Sequence, residues 1–108
     1  MKAFIAVKEN SGMGSEIDTR FGRANYFMVY DLPNDIILSV EENKYKSEGH
    51  GVGIKTAGTA VEKGCALVIG AQPGPKAEQV FKEGNIEMFI VTEGDVKDAI
   101  RKYNDKNA

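Results

Sequence analysis

The sequence predicts a single α/β domain, a five-stranded mixed sheet with helices on its faces, in the order β-β-β-α-β-α-β-α. Three observations predict it. The runs "KAFIAV", "ALVIG" and "IEMFIV" are short and almost continuously apolar, as strands buried on both faces are. The segments before "ALVIG", between it and "IEMFIV", and after "IEMFIV" carry apolar residues at helical spacing. Two further strand-like runs, "YFMVYD" and "IILSVEE", are separated only by "LPND". Pro33, Asn34 and Asp35 are turn formers, so these two runs should pair as a hairpin and add antiparallel strands to a parallel set.

Each element follows in order. "KAFIAV" opens the sheet. The polar stretch "KENSGMGSEIDTRFGRAN", Lys8 to Asn25, is long for a connector in so small a domain, and loops of that length are usually functional or mobile. The hairpin comes next, and "IILSVEE", polar towards its end, belongs at an edge. After the glycine-rich loop "SEGHGVGIKTAG", Ile54, Ala57 and Val61 mark the inward stripe of a helix that Gly64 stops. "AQPGPKAEQVFKEGN" starts a second helix at Pro73 and Pro75, turns Ala77, Val80 and Phe81 inward, and stops it at Gly84. A last helix in "GDVKDAIRKY" has Asp95 as N-cap and Val96, Ala99, Ile100 and Tyr103 on one face. Strand–helix–strand units force parallel neighbours with right-handed crossovers. The domain is expected over residues 1–103, with 104–108 as a frayed tail.

Composition narrows the function classes. The chain has 108 residues, 14 Lys and Arg against 16 Asp and Glu, and a formal charge of −2. That balance gives no global attraction for nucleic acid or an anionic membrane. The apolar run near the start is too short for a signal-peptide core or a membrane span, so a cytoplasmic protein is expected. A single cysteine, Cys65, leaves no intramolecular disulfide and no self-contained multi-cysteine metal site. It opens a buried strand and reads first as a small buried hydrophobe.

In an open α/β sheet, ligands gather beyond the carboxyl ends of the parallel strands. The loop after "KAFIAV" and the turns "GAQPGP" and "TEGD" should meet there, the two turns leading into helix N-termini that offer free N–H groups and partial positive charge. The glycine loop Gly49–Gly53 also precedes a helix. Its strand runs antiparallel, so that helix start is expected either at the opposite end of the sheet or near the others if the long loop brings His50 round. "GHGVGIKT" fails the P-loop pattern, because Ile54 stands where a glycine must precede Lys-Thr, and it fails G-x-G-x-x-G in either register. His50, the only histidine, is a candidate metal or cluster ligand or else a solvated loop residue. Arg20 and Arg23, around Phe21 and Gly22, could bind an anion bidentately or pair with Glu16 or Asp18. Met13 is either an exposed soft-metal contact or a mobile side chain. Glu41 and Glu42 are consecutive on a strand, point to opposite faces, and make a poor catalytic pair.

The stretches "DTRFGRANYFMVYD", "GHGVGIKTA", "EKGCALVIGAQPGPKAEQVFKEGNIEMFIV" and "GDVKDAI", from about Met1 to Ile100, resemble the dinitrogenase iron–molybdenum cofactor biosynthesis domain family. This is the family of the NifX and NafY proteins and of the C-terminal domain of NifB. The resemblance implies a ribonuclease H-like fold without ribonuclease activity. It also implies a carrier, not an enzyme, for an iron–molybdenum cofactor or its iron–sulfur precursor, with cluster donor or acceptor proteins as partners. Arg20, Phe21, Gly22, Arg23, Gly49, Gly51, Gly53, Gly74 and Pro75 match its motifs, and it raises His50 as the metal ligand. The expected function is therefore a small non-catalytic module that binds an anionic metallocluster. The competing expectation is a metal-free interaction or regulatory domain using the same loops. An enzyme acting on phosphorylated or nucleic-acid substrates is the least supported reading.

Overall fold

The computed structural model describes residues 1–49 and 51–107. The elements are β1 (Lys2–Val7), β2 (Tyr26–Asp31), β3 (Ile36–Glu42), α1 (Val52–Glu62), β4 (Leu67–Gly70), α2 (Pro75–Glu83), β5 (Glu87–Ile90) and α3 (Val96–Lys106), with one 3-10 turn at Gly12–Gly14. They form a five-stranded mixed sheet ordered β3-β2-β1-β4-β5. β1 pairs antiparallel with β2 and parallel with β4, β2 pairs antiparallel with β3, and β4 pairs parallel with β5. This is the ribonuclease H-like arrangement expected.

β1 sits at the centre because it alternates two apolar sets. Ala3, Ile5 and Val7 face one side and Phe4 and Ala6 the other, all fully buried. On the first face, Met28, Tyr30, Leu67 and Ile69 join them beneath Val96, Ala99, Ile100 and Tyr103 of α3. On the second, Phe27, Val29 and Val68 lie beneath Ala57 and Ala60 of α1 and Ala77 and Phe81 of α2. Phe4 stacks on Phe27 at 4.8 Å, an aromatic contact of about 0.5–1.5 kcal/mol beyond its area. β3 is an edge strand as expected, with Ile36 and Leu38 exposed.

Three expectations need correction, and two that the sequence left open are decided. The run "IEMFIV" is not buried on both faces: it forms β5, the outer strand of the sheet, with Met88 and Phe89 half-buried and Ile90 exposed. The inward stripe of α1 is not Ile54, Ala57 and Val61: Ile54 and Val61 are exposed, and Thr56, Ala57 and Ala60 are buried. Small residues fill that face because α1 lies close against α2, where a Cβ on Gly53 would sit 3.6 Å from the Ala77 methyl. The segment 104–108 does not fray from residue 104. α3 continues to Lys106, held by Tyr103 Oη donating to Glu87 at 2.9 Å and by Asn107 Nδ2 donating to the Tyr103 carbonyl at 2.8 Å. The loop Lys8–Asn25 is tied to the sheet: Lys8 N–H donates to the Glu16 carbonyl, Asp18 N–H to that of Ala6 and Ile17 N–H to that of Gly94. Within it Met13 is partly buried against the α3 side of the core. Finally, β3 is antiparallel to β2, which is antiparallel to β1, so β3 ends at the same end of the sheet as β1. The start of α1 therefore lies with those of α2 and α3.

Candidate functional site

At this shared end the segment Thr19–Arg23 meets the starts of α1 and α2. They enclose a shallow depression of about 410 Å³ lined by Thr19, Arg20, Phe21, Gly22, Arg23, Val52, Gly53, Gln72 and Gly74. A second depression of about 390 Å³ shares Val52, Gly53 and Gly74 with it and continues over Gly51, Ile54, Pro75, Lys76 and Ala77.

Glycine makes the meeting possible. A Cβ on Gly22 would stand 3.1 Å from the Gly53 nitrogen, 3.2 Å from its Cα and 3.2 Å from Val52 Cγ2. Backbone therefore meets backbone, and neither side can yield cheaply. Phe21 anchors the segment from below: its ring is buried, edge-on to Phe81 at 5.6 Å and tilted on Phe27 at 6.4 Å. It lines the depression from below, with its ring almost wholly inside the core.

The helix starts set the electrostatics. α1 is N-capped by Gly51, left-handed at φ 72°, and α2 by Gly74 with Pro75 in its first turn. Neither cap has a side chain, and among the described residues no side chain caps the first-turn N–H groups, which carry the positive end of each helix dipole. Arg20 and Arg23 add two guanidinium groups at the rim, both exposed. Arg23 Nη1 donates to the Lys46 carbonyl at 2.9 Å, which joins the rim to the loop after β3. Arg20 Nε and Nη2 each donate to Asp18 at 3.1 Å. Of the two partners expected for the arginines, Asp18 takes Arg20, while Glu16 pairs with Lys8 at 3.3 Å.

Asp18 is more than the surface ion-pair partner expected from the sequence. It is wholly buried and accepts four hydrogen bonds: from Arg20 N–H at 2.9 Å, from Arg20 Nε and Nη2, and from Asn25 N–H at 3.3 Å. Burial alone would raise its pKa. The Arg20 side-chain bonds, the two backbone N–H donors and the Arg20 charge more than offset that and hold it below the ordinary aspartate value. The signal was present in "DTR": an acidic residue two positions before an arginine, at the end of a segment returning to β1.

The other expected site residues divide. Arg20, Gly22, Arg23, Gly53 and Gly74 come together at the first depression, and Gly51 borders the second. Gly49 lies in the exposed loop outside both. His50 lies outside the described residues. Cys65 is buried just before β4, at the opposite end of the sheet, and burial pushes its thiol pKa up. Among the described residues no group of three or more His, Cys, Asp or Glu is placed to hold a metal ion, and no helix is long and apolar enough to cross a membrane.

Comparison with known proteins agrees with this architecture. An uncharacterized protein of Methanocaldococcus jannaschii is 29% identical over 105 residues, covering 95% of this chain and 85% of that one. The apo form of the orange protein from Desulfovibrio gigas superposes with a TM-score of 0.89 at 25% identity, covering 97% of this chain and 88% of its own. A Thermotoga protein described as a NifB candidate gives a TM-score of 0.80 at 27% identity, over 96% and 87% of the two chains. The model of the dinitrogenase iron-molybdenum cofactor family matches residues 1–106, and the chain belongs to that family.

Proposed function

We propose that this protein is a non-catalytic carrier for a preformed anionic metal–sulfur cluster of the iron–molybdenum or iron–sulfur precursor type. The observation that carries the proposal is the convergence of two glycine-capped helix starts with Arg20 and Arg23 on one shallow depression. Backbone N–H groups and guanidinium groups suit an anion. Thiolate ligands would be needed to build a cluster on the protein, and the lone thiol lies at the far end of the sheet with a raised pKa. The donor set therefore fits outer contacts to a cluster that arrives assembled. His50, between Gly49 and Gly51, would supply the one imidazole ligand. An open, shallow site suits a cargo that must leave again, and the partners would be proteins that donate or accept the cluster in the cytoplasm. The family and the apo state of the orange protein support a removable cargo.

The test is metal content and visible absorption after anaerobic reconstitution with iron, molybdenum and sulfide, beside His50→Ala. Sulfur-to-metal absorption in the wild type, reduced in the variant, is the expected result. A protein that stays colourless and metal-free would sink the carrier reading. The metal-free interaction domain would then lead, favoured by Ile54, which is 43% exposed at the rim of the second depression.

A further inference from the structure

We propose that Asp18 is the positioning residue of this anion site: it grips one edge of the Arg20 guanidinium so that the other edge is presented, already oriented, to the cargo. The inference rests on the carrier reading and adds to it the residue that makes the site rigid before loading.

Asp18 is wholly buried, whereas the Arg20 side chain is 57% exposed. The pair thus spans the boundary between core and solvent, with the anionic member inside. Asp18 Oδ1 receives both the Arg20 amide and its Nε, and Oδ2 receives Nη2 and the Asn25 amide. One carboxylate therefore fixes the arginine at its backbone and at its side chain together, and closes the loop seven residues on. The Asp18 amide donates to the Ala6 carbonyl at 3.0 Å, which roots the assembly in the central strand. Arg20 Nη1 makes no hydrogen bond among the described residues, so this nitrogen and the second hydrogen of Nη2 remain as donors at the rim of the depression. An exposed arginine normally loses rotamer freedom when it binds a ligand, at about 0.5–1.5 kcal/mol for such a side chain. Here that ordering is already made by a group the cargo never touches. Lysine would serve less well, because gripping one donor of a freely rotating ammonium does not fix the direction of the others, as it does for the planar guanidinium.

The position of the carboxylate gives the proposal an unusual sign. By charge alone, an aspartate beside an anion site repels the anion, and its removal should tighten binding. A positioning role demands the opposite. The probe is tetrathiomolybdate, a coloured molybdenum–sulfur dianion, titrated anaerobically against the wild type, Asp18→Asn, Arg20→Lys, Arg20→Ala and the double variant Asp18→Asn with Arg20→Ala. Thermal melts are recorded in parallel. Folded Asp18→Asn should bind about tenfold more weakly, the loss of roughly one charge-assisted hydrogen bond. In the Arg20→Ala background, Asp18→Asn should cost no further affinity in protein that stays folded, because Asp18 reaches the cargo through Arg20, while its bond to the Asn25 amide bears on stability, which the melts read. Arg20→Lys, which alters an exposed side chain and keeps the charge, should also bind more weakly. Unchanged or tighter binding by Asp18→Asn overturns the proposal, as do additive losses in the double variant. If Asp18→Asn does not fold, Arg20→Lys decides alone, and wild-type affinity in that variant overturns it. A wild type that does not bind the probe at all would count against the carrier reading itself, a separate outcome.

Discussion

Three helices begin at the same end of the sheet, yet they begin differently. At α3 the start is sealed. Asp95 accepts from the Asp98 amide at 2.9 Å, and the returning loop pairs with the helix start backbone to backbone at Glu16 and Asp95, the Val96 amide donating to the Ser15 carbonyl at 2.9 Å. At α1 and α2 the caps are glycines without a side chain, and the neighbouring loop contributes arginines where the α3 side has Glu16 and Asp95. One side of the sheet thus spends its helix start on stability, and the other leaves two starts exposed to whatever anion arrives. The contrast teaches that an α/β sheet does not make a site at every helix start. An anion is favoured where the cap is omitted and a cation is held nearby.

The largest break in that contrast should come from Phe81→Ala. Phe81 is fully buried and carries both α2 and Phe21, so truncation should cost about 3–5 kcal/mol in denaturant unfolding. It should also weaken cargo binding in whatever protein stays folded. Gly22→Val comes next. Its branched side chain meets the Gly53 backbone and must part the loop from α1, at about 1–3 kcal/mol, and loading should fall even at temperatures where the circular dichroism is native. Asp95→Ala sharpens the comparison from the sealed side: stability should drop by about 1 kcal/mol while cargo affinity is unchanged. If Asp95→Ala lowered affinity as well, the two sides would not be independent. The smallest effect in ordinary buffers is that of pH. The folded pKa of Asp18 lies below its unfolded value, so its contribution to stability is complete above about pH 5, clear of the unfolded aspartate range. That contribution is lost as pH falls through the lower folded value. The stability difference between wild type and Asp18→Asn should therefore be flat from neutral pH to about pH 5 and shrink on further acidification, as acid titrations of the two melts would show.

Much of the fold was legible because its signals are local. The turn residues 32–35 join β2 to β3, the apolar alternation of β1 places it at the centre, and Asp95 caps α3, all as the residues suggest. What was not legible depends on neighbours far along the chain. Ile54 and Val61 look like core, but the face of α1 is chosen by its close approach to α2, which favours Thr56, Ala57 and Ala60. The loop after β1 is long enough to be functional or mobile, yet many of its amides are taken up by backbone carbonyls and by the side chains of Glu9, Ser15 and Asp18, partners that no sequence pattern announces. The candidate site was half visible. Arg20, Gly22, Arg23, Gly53 and Gly74 do converge. Phe21 belongs to the core beneath them, and the carboxylate that grips Arg20 was weighed only as a surface counterion. Whether an arginine is held by a buried acid or swings free is a question of depth, and depth is a tertiary property.

The close approach of Gly22 to Gly53 has a consequence for when the protein can work. The two residues lie on either side of a whole hairpin, and Gly74 is further on again, so the depression has no existence in any local fragment of the chain. β1 must already have paired with β4 across some sixty intervening positions, the kind of non-local closure that comes late and slowly in folding. A half-made or partly unravelled chain therefore lacks the depression, and any ligand bound there would in turn hold the finished chain together by mass action. On the proposed carrier reading, occupancy of the depression would be a certificate of complete folding, and the protein would be guarded against picking up its freight too soon.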